Sequence, residues 1–156
     1  MIETMVQYSI FLANKPGLLG KIVGALGAAK VNIVALTMMD SFEHGVLRIV
    51  AKDADFAKKA LEPLNLTMSP TKVLAVTMPN KPGALADICE KLSANRVQIS
   101  YLYSTTGAPG GKAIGIFKVQ SPERAAKVLS KTARGHTRDM KTKLRNQQRA
   151  RVAGRR

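Results

Sequence analysis

One six-residue segment occurs twice in this chain, and its residue types suit the binding of a small ligand. Residues 14–19 read NKPGLL and residues 80–85 read NKPGAL. Each copy lies between an apolar run typical of a strand and a run with helical spacing. Proline is favourable as the first residue of a helix, and glycine lets a ligand approach the backbone. We predict that each segment joins a strand to a helix and directs free N–H groups at a ligand beside the asparagine. The alternative is a strand-to-helix corner without a ligand.

The segment is part of a longer internal repeat. With an offset of 66 residues, the apolar positions of the two halves coincide; the matched pairs are Leu19 with Leu85, Ile22 with Ile88, Leu26 with Leu92, Val31 with Val97, and Ile33 with Ile99. Matching core positions are expected of two copies of one fold. We therefore predict an internal duplication.

Each half shows the same order of elements. The first half predicts strands at 5–12, 32–39, 46–51 and 64–68, with helices at 18–29 and 53–61. The helices' inward faces are predicted to include Leu19, Val23 and Phe56, and Asp53 is predicted to cap the second helix. The second half predicts strands at 73–78, 97–105 and 113–119, with helices at 85–92 and 121–129, and it lacks a clear fourth strand.

This order predicts an α+β protein made of two ferredoxin-like βαββαβ sandwiches, with one sheet edge left unpaired in the second. We assign residues 1–70 to the first domain, 71–129 to the second and 130–156 to a basic tail. The tail holds ten Lys/Arg and one Asp, a net charge of +9, out of +15 for the whole chain. Such a segment is typical of disorder, and its charge favours weak contact with nucleic acid or an acidic protein.

Several classes of function find no support. No apolar run reaches the ~20 residues of a membrane helix, and the first residues do not resemble a signal peptide. The single cysteine, Cys89, is typical of a reducing compartment, so we expect a cytoplasmic protein.

No metal-ligand spacing, cofactor motif or nucleophile–base arrangement is present, and residues 106–113 miss the first and last positions of a phosphate-binding loop. We predict that the protein is not an enzyme. An RNA-binding sheet would need aromatic residues on its first and third strands, but residues 73–78 have none and the third strands offer only Phe117.

The repeated segments, with Val31-Asn32-Ile33 opening the next strand 18 residues after Asn14, resemble the ACT domain. ACT domains are regulatory modules of amino-acid-metabolising enzymes, including phosphoglycerate dehydrogenase and the acetolactate synthase small subunit. The doubled form, over residues 3–129, resembles stand-alone tandem ACT proteins. The resemblance implies a non-catalytic allosteric protein of amino-acid metabolism that binds a free amino acid, forms a homodimer and acts on a metabolic enzyme.

The resemblance also implies site residues. The first set is Asn14, Pro16, Gly17, Leu18, Leu19 and Asn32; the second is Asn80, Gly83, Ala84, Leu85 and Gln98. Serine-binding members carry a histidine two residues before the first asparagine, where this chain has Leu12 and Met78. These apolar residues favour a branched-chain or other small apolar amino acid as the ligand, and the first set matches the family better because Gln98 replaces an asparagine.

Overall fold

The computed structural model describes residues 1–13, 15–39, 44–108 and 110–131. The strands are β1 (Ile2–Ala13), β2 (Ile33–Met39), β3 (His44–Ala51), β4 (Thr67–Pro79), β5 (Ile99–Thr106) and β6 (Lys112–Val119). The helices are α1 (Leu18–Ala28), α2 (Ala54–Leu61), α3 (Ala84–Ala94) and α4 (122–131), and a short 3-10 turn spans Glu62–Leu64. Residues 40–43, between β2 and β3, and the tail beyond residue 131 lie outside the described residues.

All six described strands form one antiparallel sheet in the order β2-β3-β1-β4-β6-β5. The first repeat supplies β1, β2, β3, the start of β4 and helices α1 and α2. The second repeat supplies the rest of β4, with β5, β6, α3 and α4. The predicted α+β, ferredoxin-like fold with a duplicated element order is confirmed, and the two sandwiches share a single sheet.

Strand β4 runs without a break from the first repeat into the second. The sequence predicted separate strands at 64–68 and 73–78, which is wrong: residues 62–64 form the 3-10 turn, and one 13-residue strand then passes through Pro70. Over residues 67–71 the described sheet pairs β4 with β1 alone, and its pairing with β6 begins at Leu74. A proline is tolerated there because an edge strand can direct the position of the missing N–H away from its neighbour.

The place of the missing fourth strand in the second repeat is taken by the start of β1. Ile2–Val6 pair antiparallel with Lys72–Val76, and the N–H of Thr77 donates to the Met1 carbonyl at 2.8 Å. In a ferredoxin-like sheet the fourth strand lies beside the first, which is the position that β1 occupies here. The predicted unpaired edge is therefore covered by the other repeat.

Two clusters of buried side chains lie between the sheet and its helices, one in each repeat. In α1 and α2 the buried residues are Ile22 and Leu26, and Ala57 and Leu61. The prediction that Leu19, Val23 and Phe56 point inward is wrong, since they are 37%, 38% and 59% exposed. Val23 and Phe56 each adjoin a buried residue in sequence, and a step of one residue turns a helix by about 100°. The cap by Asp53 is confirmed: its Oδ1 accepts from the Phe56 N–H at 3.0 Å.

The helix-free face of the sheet is also buried over much of its area. A third cluster there contains Ala35, Val50, Val73, Ala75 and Ile116, which come from both repeats. The two edge strands, β2 and β5, contact each other, so the sheet is curled with its helices outside. The curl makes the two repeats one packed body.

Candidate functional site

The two repeated segments adopt the same backbone conformation. Gly17 has φ +83° and ψ −10°, and Gly83 has φ +84° and ψ −21°. The N–H of Leu18 donates to the Lys15 carbonyl at 3.4 Å, and the equivalent bond in the second repeat is 3.3 Å long. These values describe a type II turn, which requires a positive φ at its third residue and favours proline at its second.

The role predicted for Pro16 is therefore corrected. It is the second residue of the turn, and α1 begins two residues later, at Leu18. Proline suits this position because its ring fixes φ near the value that the turn needs, and glycine must follow because other residues are strained at positive φ. The turn, rather than the first turn of the helix, thus explains the Pro-Gly pair.

Each turn leaves N–H groups free at the start of a helix. In α1, the N–H of Lys21 donates to the Gly17 carbonyl at 3.1 Å, while those of Leu19 and Gly20 have no acceptor among the described residues. No side chain caps α1, and its first turn holds no acidic residue. In α3 the position equivalent to Lys21 is Asp87. A helix N-terminus attracts anions, so the first repeat offers a carboxylate the more favourable field.

In each repeat, the type II turn lies at one end of a helix, and the amide residue that precedes the next strand, Asn32 or Gln98, lies at the other end. Asn32 and Gln98 are exposed and directly precede β2 and β5. Helix α1 has 11 residues, which gives a length of about 16 Å. One small ligand cannot reach both ends within a single repeat. Since neighbouring strands alternate in direction, the Gly17 turn shares an end of the sheet with Gln98, and the Gly83 turn shares the other end with Asn32.

Four more residues bear on the predicted sites. Asn14 lies outside the described residues. Leu12 and Met78, at the family's histidine position, are buried in the helix-side cores. Asn80 is half-buried, and its side-chain Nδ2 donates to the carbonyls of Gly107 and Ala108, in the connection between β5 and β6.

An open groove of about 470 Å³ lies beside Gln98. It is lined by Cys89, Ser93, Arg96, Val97, Gln98 and Ile99. The sequence predicted Gln98 as a site residue but did not indicate the groove. Its walls come from the second half of α3 and the start of β5, which are joined by a tight turn with Arg96 at φ +55°.

A polar cluster around the buried side chain of Gln7, on the helix-free face, joins the two repeats, and the sequence did not predict it. Gln7 of β1 is fully buried; its Nε2 donates to the Tyr101 hydroxyl at 2.8 Å, and its Oε1 accepts from the Tyr103 hydroxyl at 3.0 Å. The Arg48 guanidinium lies 3.9 Å from the centre of the Tyr101 ring. Burial raises the pKa of Tyr103 well above its usual 10, and the Tyr101 phenol adds to the shift while Arg48 opposes it. The sequence indicates only that Tyr101 and Tyr103 alternate onto one face of a strand. Their partner, Gln7, is distant in sequence.

The described residues contain no group of His, Cys, Asp and Glu that could hold a metal ion. No helix in the described part is long and apolar enough to cross a membrane. Phe117, the aromatic residue of the third strand considered for RNA stacking, is fully buried on the helix side of the sheet.

Comparison with known proteins identifies the family. A family model described as an ACT domain pair matches residues 3–141. The structure of protein BT0572 from Bacteroides thetaiotaomicron is 32% identical over 85% of this chain and 90% of that chain, with a TM-score of 0.76. The ligand-free regulatory subunit of aspartate kinase from Thermus thermophilus shares the fold at 14% identity, over 84% of this chain and 94% of that chain, with a TM-score of 0.63.

The structure of aspartokinase alpha and beta subunits shares the fold as well, at 18% identity over 83% of this chain and 95% of that chain, with a TM-score of 0.56. The comparison with curated proteins gives no match. The family model and the duplicated turn agree with the resemblance drawn from the sequence, and they indicate a regulatory, ligand-sensing role. The chain belongs to the family of ACT domain pairs.

Proposed function

We propose that this protein is a non-catalytic regulator that binds a free amino acid and transmits its occupancy to a partner enzyme or to its own oligomer. The observation that best supports this proposal is the pair of type II turns, each followed by a helix N-terminus without a side-chain cap. A ligand carboxylate would accept from free N–H groups such as those of Leu19 and Gly20. Lys21 adds a positive charge near that end of α1.

The proposed first site consists of Asn14, Pro16, Gly17, Leu18, Leu19 and Asn32, and the proposed second site of Asn80, Gly83, Ala84, Leu85 and Gln98. The asparagine side chain would accept from the ligand's ammonium. Apolar surroundings, including buried Leu12 and half-buried Leu18, favour a branched-chain side chain over that of serine. In this proposal the first site is the better one, as the sequence predicted.

We further propose that the protein is a homodimer in which the turn of one copy meets Asn32 of the other. The length of α1 supports this, because one repeat cannot bring both groups to one ligand. The exposed apolar residues Leu19, Val23 and Ile33 lie on α1 and at the start of β2. The counterparts of Val23 and Ile33 in the second repeat are Cys89 and Ile99, which line a single groove. We therefore expect Val23 and Ile33 to form one surface as well.

We propose that the regulated partner is an enzyme of amino-acid metabolism in the cytoplasm. The regulatory subunit of aspartate kinase, which shares this fold, illustrates such a division between a catalytic and a regulatory chain. The single cysteine of the chain agrees with a reducing compartment.

Isothermal titration of the intact protein with each common amino acid tests the ligand proposal. We expect a branched-chain amino acid to give heat, and the double variant Asn14→Ala with Asn32→Ala to weaken binding by at least tenfold, since charge-assisted hydrogen bonds are worth about 1.5–3 kcal/mol. Asn95→Ala, which removes an amide from the far end of α3, should bind normally. Light scattering on the same samples should give the mass of a dimer.

Heat from none of the amino acids would reject the sensor function. An unchanged dissociation constant in the double variant, with the fold intact, would place the ligand elsewhere on the protein. A monomeric mass at the titration concentration would reject the dimer and leave only sites within one chain.

A second candidate function, an adaptor that binds nucleic acid or an acidic protein, is favoured by the charge of the tail, where ten of the last 27 residues are Lys or Arg. Deleting residues 132–156 leaves all the described elements in place. We expect the deletion to weaken binding of a single-stranded RNA at least tenfold at 50 mM salt, and the intact chain to lose affinity steeply by 200 mM. Equal affinities of the two proteins would reject a role for the tail.

A further inference from the structure

The guanidinium of Arg48 has no oxygen acceptor among the residues that the structure describes. Arg48 is half-buried on β3, on the helix-free face. Its Nη1 donates to the Met39 sulfur at 2.9 Å, and the Tyr101 ring covers one face of the guanidinium at 3.9 Å. A thioether sulfur is a weak acceptor, whereas a guanidinium has five N–H donors. Most of these donors therefore face outward from the ring without an acceptor in the described part of the chain.

The hydroxyls beside Arg48 also have hydrogens to donate. The Gln7 Nε2 donates to the Ser9 Oγ at 3.1 Å and to the Tyr101 hydroxyl at 2.8 Å. A hydroxyl that accepts still holds its own hydrogen, and no described residue accepts from either of these two. Turning the amide over would instead free the hydrogen of the Tyr103 hydroxyl and one amide hydrogen, so donors exceed acceptors in both orientations.

Strand pairing places further donors around the guanidinium. Arg48 is paired with Ser9 of β1 on one side and with Thr37 of β2 on the other, and side chains that are paired in this way share a face of the sheet. Lys118 of β6 is paired with Tyr101 and brings a second positive charge to the same face. Thr37 and Lys118 are both half-buried.

The described acidic residues lie away from these donors. Glu3 is the acidic residue that a described strand carries, and it is six residues from Ser9 along β1, which is about 20 Å at the rise of a strand. The other described acidic residues are on the helices or beside them, and the helices cover the opposite face of the sheet. Positive charge without nearby carboxylates attracts anions.

An apolar strip lies next to the row of donors on the same face. Val46 of β3 is paired with Phe11 of β1 and with Met39 of β2, two residues along each strand from the row that holds Arg48. Phe11 and Met39 are 49% and 50% exposed. The strip is therefore accessible to a ligand that has an apolar part.

We propose that this part of the helix-free face is a binding site for a small organic anion. Its carboxylate or phosphate accepts from Arg48 and from the available hydroxyls, and its apolar group lies over Phe11 and Met39. Because a ring covers one face of the guanidinium, the edge is presented to the ligand, and two parallel N–H groups there match two oxygens of an oxyanion. Arg48 and Tyr101 come from different repeats, so the ligand would contact both. The turns proposed to bind a free amino acid are separate from this site, and Arg48 would repel an ammonium group.

Nuclear magnetic resonance of the intact protein tests where the anion binds. The probes are phenyl phosphate and phenylacetate, one for each kind of oxyanion. We expect at least one of them to shift the Nε–H signal of Arg48, and the probe that does so identifies the oxyanion. The Nε–H signal of Arg124 on α4, whose Nη2 donates to the Asn95 carbonyl, should move far less. An Arg48 signal that neither probe moves would mean that the chain itself satisfies the guanidinium, and would overturn the proposal.

Isothermal titration with the same probe measures the contribution of Arg48. We expect Arg48→Gln to weaken binding at least tenfold, because charge-assisted hydrogen bonds are lost. Arg124→Gln removes the same charge from α4 and should bind within twofold of the unaltered protein, which separates this site from nonspecific binding to basic residues. Equal affinities of Arg48→Gln and the unaltered protein would overturn the proposal. If Arg48→Gln does not fold, the Arg48 signal of the unaltered protein still decides.

A substitution in the apolar strip tests the other half of the site. Phe11→Ser, at an exposed position, should weaken binding of the phenyl probe at least threefold, since the apolar group loses its contact. Inorganic phosphate, which has no apolar group, should bind this variant and the unaltered protein equally. An unchanged affinity for the phenyl probe would overturn the role assigned to the strip.

Discussion

Replacing Gln7 by leucine is expected to lower the melting temperature of the protein by roughly 6–12 °C. Leucine nearly preserves the volume but leaves the hydroxyls of Tyr101 and Tyr103 without the amide that now pairs with them. An unsatisfied buried polar group costs about 1–3 kcal/mol, so a loss near 3 kcal/mol is expected, and 1 kcal/mol corresponds to about 2–4 °C in a chain of this size. Thermal unfolding followed by circular dichroism measures the change.

The same substitution at an exposed glutamine provides the control. Gln98→Leu should change the melting temperature by no more than about 2 °C, since surface substitutions are usually within ±0.5 kcal/mol. If the cluster acts as a unit, Gln7→Leu and Tyr103→Phe together should cost less than the sum of the two single variants. A Gln7→Leu protein as stable as the unaltered chain would contradict the role assigned to the cluster.

The cluster also predicts how stability depends on pH. The pKa of Tyr103 is raised in the folded state, above the usual value of about 10 that the unfolded chain retains. Below pH 10 both states hold the proton, and the contribution to stability is complete. Above pH 10 the unfolded state loses the proton first, so the free energy of unfolding falls as pH rises. Denaturant unfolding at pH 9 and pH 11 should show this fall, smaller in Tyr103→Phe.

Removing residues 1–6 is expected to have the larger effect and to cost the second repeat its native fold. These residues fill the place of its fourth strand, and Ile2 packs against its helix-side core. Partial burial of Ile2, Met5 and Val6 at about 1–2 kcal/mol each, with the ladder hydrogen bonds, amounts to roughly 5 kcal/mol. That equals the lower end of the total stability of a typical domain.

Size-exclusion chromatography and hydrogen exchange at residues 72–76 would measure this loss. We expect exchange at these residues to rise at least a hundredfold, and the exposed edge of β4 to promote aggregation. Deleting residues 132–156 instead should leave exchange at 72–76 unchanged. A shortened chain that stays monodisperse, with protected amides on β4, would show that the start of β1 is dispensable.

The sequence alone predicted the features that depend on neighbouring residues. The segment was predicted to join a strand to a helix, and it does so through a type II turn in which proline sets one φ and glycine tolerates the next, although the proline was predicted as the first residue of the helix. Asp53 was recognised as a cap because its acceptor reaches an N–H only three residues away. The duplication was visible because both copies keep apolar residues at the same helical and strand positions. These signals are local, and they carried the family resemblance.

Features that join distant residues were decided by the tertiary structure. No pattern within residues 1–6 shows that they complete the second repeat, because strand pairing depends on the curl and register of the whole sheet. The burial of Gln7 likewise depends on Tyr101 and Tyr103, which lie 94 and 96 residues further along the chain. The NKPG segment of the second repeat is likewise held by a distant part of the chain, because Gly107, 27 residues downstream, accepts from Asn80. Spacing identifies such a residue, and only the folded chain shows which partner its amide has.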